Sequence, residues 1–333
     1  MPFLGLGFDW RKSKAHWHLL GQFVREHAVD DFRDDRWQPV LKEHPRRAID
    51  RFLKEGLLVK GGLADQLAYK CKVGDLKEAL KASGLKLSGR KEELIARLID
   101  GNPAVAQTLA SGVTVLVCSE AGRLLAEQYL AQQSQQRAEA ERKSLELIRA
   151  RRFKEASCVV ADFEARQVFP RGMGNDWEHH NPARDVMVLT AIFQRKPGIL
   201  SGLREDQWEP LRISAAMMHL WGTNRASAWL PDGFSTDLAF DNDTAARMIM
   251  FHVWHLAQLQ QCQQEADVIK GVKILCVNDG NSCPTCRKYH GRTYRLAHLD
   301  KMPELPIPGC TCEMGCRCTT VAITKSWDEL GIK

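Results

Sequence analysis

Apolar residues recur at helical spacing along most of this chain, and the breaks in that spacing divide it. Ala48, Ile49, Phe52 and Leu53 precede Gly56, and Leu63, Leu67 and Ala68 follow, so residues 10–70 read as short helices. From Val73 the pattern tightens. Asp75 is placed to cap a helix with Glu78 three residues on, Leu76 and Leu80 form its apolar stripe, and Gly84 ends it. Ser88 and Gly89 open a second helix with Leu94, Ile95, Leu98 and Ile99 on one buried face, and Gly101, Asn102 and Pro103 stop it. Two short helices joined by a bend are the expected result.

After Pro103 comes a brief β-like run, Val113 to Cys118, and then a polar segment from Ser119 to about Glu155. Its apolar positions are Leu124, Leu125, Tyr129 and Leu130 at one end and Leu145, Leu147 and Ile148 at the other; the polar gap between Ala131 and Ser144 predicts an exposed helix bridging two parts. Residues 155–265 read as three or more buried helices, over Ala183 to Phe193, Trp208 to Trp221 and Thr244 to Gln261, the last capped by Asn242 or Asp243. Val272 to Val277 alternates as a strand and Asn278, Asp279 and Gly280 turn it. The expected organisation is a helical lead-in over 1–70, a helix-bend-helix domain over 71–103, a connecting segment with a long helix over 104–154, a helical core over 155–265 and a cysteine module over 266–333. The fold class is mainly α and multi-domain, with a small α/β module at the C-terminal end.

A chain of 333 residues can bury a sizeable core in about two to four domains. No apolar run approaches the roughly 20 residues of a membrane helix, so no membrane partner is expected. The start, Met1 to Arg11, lacks the basic and apolar stretches of an export signal, so a reducing cytoplasm is the expected location. Net charge is +6, and residues 1–100, with 20 basic and 15 acidic side chains, hold most of it. That imbalance is compatible with a polyanionic partner without establishing one.

Cysteine changes the picture most. Six of them, Cys283, Cys286, Cys310, Cys312, Cys316 and Cys318, fall within 36 residues, and in a reducing compartment such a cluster reads as metal ligands before disulfides. Zinc takes four ligands in a tetrahedron, and Cys-x-x-Cys is a common knuckle because its bend aims two thiolates at one ion. Cys283 and Cys286 are therefore the firm pair. The other two come from the remaining four, with Cys310 and Cys316 favoured and Cys318 as close substitute. His290 and His298 read as polar loop residues. Such a site is structural: closed to water, it does no hydrolysis and folds only its own loops. Cys71, Cys118, Cys158 and Cys262 lie singly and read as small buried hydrophobes.

The segment Val73 to Leu98 resembles the SAP domain, a helix-bend-helix module that generally binds DNA and occasionally RNA. The resemblance is carried by Leu76, Leu80, Leu85, Leu94 and Leu98, by Gly84 and Gly89, and by Lys91 and Arg97. Physically, Gly89 lets the backbone approach a phosphate, the second helix offers unpaired N–H groups at its start, Arg90 and Lys91, both expected to be exposed, add charge there, and Lys86 on the bend reaches a neighbouring phosphate. With six basic and five acidic side chains from Val73 to Gly101, the domain should bind weakly by itself and serve as a tether. The plainer reading is a packing unit or protein contact.

The C-terminal segment, Asp279 to Tyr294 and then Pro306 to Cys318, resembles the end of phage Mu F-like minor head morphogenesis proteins, where Cys-x-x-Cys follows an aspartate and a proline-rich stretch closes on Cys-Arg-Cys. The chain departs from that pattern at Gly315, where a His-Pro pair commonly stands, and by the additional Cys310 and Cys312; Cys312 has no counterpart there and ranks last as a ligand. The resemblance implies phage head subunits as partners. Glu178, His179 and His180, and His252 with His255, invite a nuclease reading in which the SAP-like domain delivers the helical core to DNA and the histidines or acids of that core bind a catalytic metal. His-x-x-His here lacks the glutamate of a zinc protease motif, and the flanking Phe251, Val253, Trp254 and Leu256 make these histidines polar edges of a core helix. The expected function is therefore non-enzymatic nucleic-acid binding with a structural zinc; a metal-dependent nuclease and a phage head protein are the competing readings.

Overall fold

Three short helices open the chain, α1 (Lys14–Gln22), α2 (Asp34–Leu41) and α3 (Pro45–Lys54). Pro45 stands at the first position of α3, where its missing N–H costs nothing, and the His44 imidazole accepts the N–H of Arg46. Their apolar stripes meet in a core of Leu19, Leu20, Phe23, Ile49 and Phe52. Strand β1 (Leu58–Lys60) closes it by pairing antiparallel with β2 (Leu116–Cys118), Leu58 opposite Cys118. The computed structural model describes residues 9–172 and 175–330. Most of the opening segment read above for an export signal lies outside them. The chain divides into two units, Met1–Ala138 with Gln167–Phe169 and Glu139–Arg166 with Pro170–Lys333.

Within the first unit a second core is formed by α4 (Leu63–Lys70), α5 (Val73–Ala82), α6 (Lys91–Gly101) and α7 (Pro103–Ala110). Leu67, Leu76, Leu80, Leu94, Leu98 and Ala106 are fully buried in it. The helix-bend-helix thus shares its apolar interior with a helix on each side. Helix α5 begins earlier than its pattern indicated: Asp75 does not stand at the cap but inside the first turn, its carboxylate accepting the Lys72 N–H at 2.7 Å. The helix ends as expected. Gly84 takes φ +69°, Leu85 N–H bonds the Leu80 carbonyl at 2.8 Å and Gly84 N–H that of Lys81 at 3.1 Å, the paired bonds that close a helix through a left-handed residue. Helix α6 starts at Lys91, after Ser88 and Gly89. Asn102 and Pro103 end α6 and also start α7, the Asn102 side chain capping the Val105 N–H at 3.3 Å. The sequence pattern marks these residues only as a stop, whereas proline serves equally as a first helical residue.

Helix α8 (Glu120–Arg149) has the exposed polar middle that the gap after Ala131 predicted. In the second unit α9 (Phe153–Ala165), α10 (Ala183–Gln194), α11 (Glu205–Trp221) and α12 (Asn242–Gln264) pack around Trp208, Leu211, Met217, Leu189 and Ile249. Helix α11 is buried without interruption from Ile213 to Met218, as befits a central helix apolar on nearly every side. The cap of α12 is Asp241, accepting the Thr244 N–H at 2.7 Å, rather than Asn242 or Asp243. Asp243 instead holds the N–H groups of Ala226 and Ser227 at 2.7 and 3.0 Å. A three-stranded antiparallel sheet follows, ordered β4 (Thr293–Arg295), β3 (Ile269–Leu275), β5 (Thr319–Thr324), with the short helix α13 (Pro284–Tyr289) between β3 and β4. The architecture is mainly helical with a small C-terminal sheet beside a cysteine cluster. Among the described residues no helix is long and apolar enough to cross a membrane.

Candidate metal centre and nucleic-acid interface

Strands β3 and β5 bring the cysteines together. Leu275 at the end of β3 pairs with Thr319 at the start of β5, so the chain leaves the sheet through Cys276 and re-enters it through Cys318 at the same edge. Cys283 stands at the start of α13, its Sγ accepting the Cys286 N–H at 3.4 Å, which turns both thiols to one side. The loop from Leu305 folds back over them. Cys310 Sγ lies 3.8 Å from Cys283 Sγ and 3.4 Å from Cys286 Sγ, and Cys286 Sγ lies 3.9 Å from both Cys312 Sγ and Cys316 Sγ. Cys283, Cys286, Cys310 and Cys312 form one buried group with all sulfurs within 4.8 Å of one another, and Cys286, Cys316 and Cys318 form another. Four thiolates about 2.3 Å from one ion stand about 3.8 Å apart along the edges of a tetrahedron. The first group can hold a metal ion on that geometry.

The backbone prepares these sulfurs for negative charge. Burial pushes the Cys283 thiol up, but the N–H groups of Cys286 and Thr311 outweigh it and hold the group at about 6. Contacts from the Cys310 and Cys318 thiols pull Cys316 well below the usual thiol range, with N–H bonds from Ile307 and Cys318 adding to them. The protons crowd onto the neighbours. Cys310 and Cys318 are each pushed up chiefly by facing Cys316, and Cys286 by burial and the Cys316 charge. Beside the cluster Arg317 grips Asp279 with two bonds of 2.9 and 2.7 Å, and this pairing holds the Asp279 carboxyl at about 2.

Of the residues singled out by sequence, Cys283, Cys286 and Cys310 thus sit in the four-sulfur group, while Cys316 and Cys318 sit in the second. Cys312, ranked last, completes the first. His298 is exposed, and His290 uses Nδ1 to accept the Cys276 N–H at 3.1 Å. Cys276, which the alternating pattern of Val272 to Val277 makes a strand residue, lies buried just after β3. Its buried thiol meets the Cys286 carbonyl at 3.0 Å and the Cys318 thiol. The available signal was its place seven residues before Cys283, in a chain whose other cysteines upstream are widely separated.

At the bend of the helix-bend-helix, Gly89 adopts φ +133°, which few side chains tolerate. No side chain caps α6 from its N-cap, Arg90; instead Glu93 reaches back to the Arg90 N–H at 3.3 Å, and among the described residues the following first-turn amides have no side-chain acceptor. Lys91 was expected to be exposed. It is half-buried, its ammonium donating to the Ala68 carbonyl at 2.5 Å, because α4 packs closely enough to offer its last free carbonyls to it. Arg97 likewise serves the fold, tying the bend through the Lys86 and Ser88 carbonyls at 2.7 and 2.9 Å. Lys86 and Arg90 are exposed. Both lie beside the start of α6.

The histidines and acids of the nuclease reading are spread over separate networks. His179 pairs with Asp176 at 2.9 Å on the surface, and His252 faces Glu304 and the Leu305 carbonyl, each at 3.1 Å. His180 lies 2.8 Å from Ser157 Oγ, which is 2.5 Å from Asp185, and Asp185 also accepts from His219 at 3.1 Å. Ser, His and Asp meet there without the order a nucleophile needs. The buried Ser157 hydroxyl gives its proton to Asp185, so His180 is left to donate to it rather than to act as its base.

The SAP domain family matches residues 70–100, from the end of α4 through α6. That match suggests nucleic-acid binding. No curated protein and no solved structure matches the chain.

Proposed function

We propose that this chain is a non-enzymatic nucleic-acid tether, acting on DNA through the start of α6, with its C-terminal module held by a structural zinc ion in a four-thiolate site. The observation that carries the reading is the SAP match laid over a bend where Lys86 and Arg90 are exposed and the first-turn amides of α6 are open. Phosphate oxygens suit such a site because helix amides and the macrodipole favour an anion and the two cations add charge. Glu92 and Glu93 in the same turn oppose it, so the affinity of the domain alone is low. A cleft in the same unit, lined by Arg11, Lys12, Lys14, Trp17, Tyr129 and Gln132, supplies further cations for the same polyanion.

Zinc is the ion that the buried all-thiolate set and its sulfur spacing support. The C-terminal motif also supports a narrower setting, a subunit of a phage head, which co-assembly with portal or capsid subunits would test. Fluorescence anisotropy of the full chain on duplex DNA tests the main reading. Lys86→Glu with Arg90→Glu should weaken binding to every sequence alike, since phosphate contacts carry no base information. DNA incubated with the protein in Mg²⁺ or Mn²⁺ should stay intact. Unchanged binding by the folded double variant would make the domain a protein contact, and cleavage that disappears with His179→Ala or His252→Ala would restore the nuclease.

A further inference from the structure

A single tetrahedral ion uses four thiolates, and this cluster contains seven cysteines. Once Cys283, Cys286, Cys310 and Cys312 are assigned to one ion, Cys276, Cys316 and Cys318 remain, packed against it. Cys286 belongs to both groups of close sulfurs, 3.9 Å from Cys312 on one side and 3.9 Å from Cys316 on the other. Cys276 and Cys318 are brought together by the sheet itself. Because Leu275 is opposite Thr319 in an antiparallel pair, the next residue along β3 faces the one preceding β5.

We propose that the module holds two zinc ions joined through the Cys286 sulfur, the first bound by Cys283, Cys286, Cys310 and Cys312 and the second by Cys286, Cys316, Cys318 and Cys276. The inference rests on the reading of the cluster as a zinc site and adds a second site to it. Seven thiolates around two divalent ions leave an excess of negative charge, and the surroundings are built to meet it. Backbone N–H groups point at sulfur from Cys286 to Cys283, from Cys283 to Cys312, from Cys312 to Cys310 and from Ile307 to Cys316, at 3.3–3.5 Å. Arg317, whose terminal nitrogens pair with Asp279, keeps a buried Nε without a hydrogen-bond partner among the described residues on the flank of the cluster. Binding releases the proton of the Cys276 thiol, which in the structure donates to the Cys286 carbonyl at 3.0 Å, to solvent, and so frees its sulfur to turn towards Cys318.

Native mass spectrometry of the full chain, purified from zinc-supplemented medium without chelator, should find two zinc ions per chain. After exchange to cadmium-113, two NMR signals should appear, each split by the other through the shared sulfur. Cys276→Ser should retain one ion. One zinc in the wild-type chain would overturn the second site while leaving the four-thiolate reading in place; no zinc would remove both. Two cadmium signals with no mutual splitting would overturn the bridge, and two ions retained by Cys276→Ser would overturn its assignment as a ligand.

Discussion

Asp185 shows how much a single residue carries in the helical unit. Burial would raise its carboxyl, but the bonds from His219 and Ser157 and the nearby imidazole charges hold it at about 2. A carboxylate depressed on folding stabilises the protein above its unfolded value and loses that contribution as pH falls through the folded one, here between about pH 4 and pH 2. Allowing for solvent screening, the contribution is about 1–2 kcal/mol. Asp185→Asn should therefore lower the thermal midpoint at pH 7 and flatten the dependence of stability on pH between 4 and 2. Thermal melts across that range check it; a variant as acid-sensitive as the wild type would show that the network around Ser157 does not depend on this charge. Lys91 and Arg97 teach the complementary lesson: charged residues that fit a family's binding pattern can be held by the fold, while Lys86 and Arg90 stay exposed at the bend.

At the scale of elements, the loop carrying Cys310 to Cys318 is strapped to α12 at Gly315. Its φ is +74°, and a Cβ there would stand 2.7 Å from Thr244 Cγ2 and 2.9 Å from Met248 Cε. Gly315→Ala should cost about 1–3 kcal/mol through backbone strain and the displaced contacts, and slow or weaken metal uptake without touching a ligand. Denaturant titration and zinc affinity measured together test it; wild-type values for both would mean that the loop adjusts freely. Helix types and faces were legible from spacing, as in Leu76 and Leu80 against Leu94 and Leu98, because burial of an apolar stripe is what makes a short helix persist. Ends were less legible. Asp75 serves from inside the first turn of α5, and Asn102 and Pro103 end one helix and start another, since the same residue types suit either role. The cysteine cluster was visible as a composition, but which sulfurs meet depends on the β3–β5 register, and that pairing joins residues more than forty positions apart.

For the molecule as a whole, the cysteine module is not a small appendage. Cys276, Cys283, Cys286, Cys310, Cys312 and Cys316 lie in the same continuous apolar cluster as Trp208, Met217 and Ile249 of the helical unit. The expectation that the metal closes only its own loops changes accordingly. Chelation, or Cys283→Ser, should destabilise α10–α12 along with the sheet, drawing on a binding energy of about 10 kcal/mol or more. Hydrogen exchange before and after chelation would show it; protection lost only after residue 266 would restore the local picture. The first unit carries the SAP match and most of the net positive charge, so on the proposed function it is the part that would meet a polyanion. The most direct measurement of that claim is the slope of log affinity against log salt for the full chain on duplex DNA. Each phosphate contact contributes roughly 0.9 to the slope, so Lys86→Glu with Arg90→Glu should flatten it by about 1.8 while circular dichroism stays unchanged. A folded double variant with the wild-type slope and affinity would contradict the account.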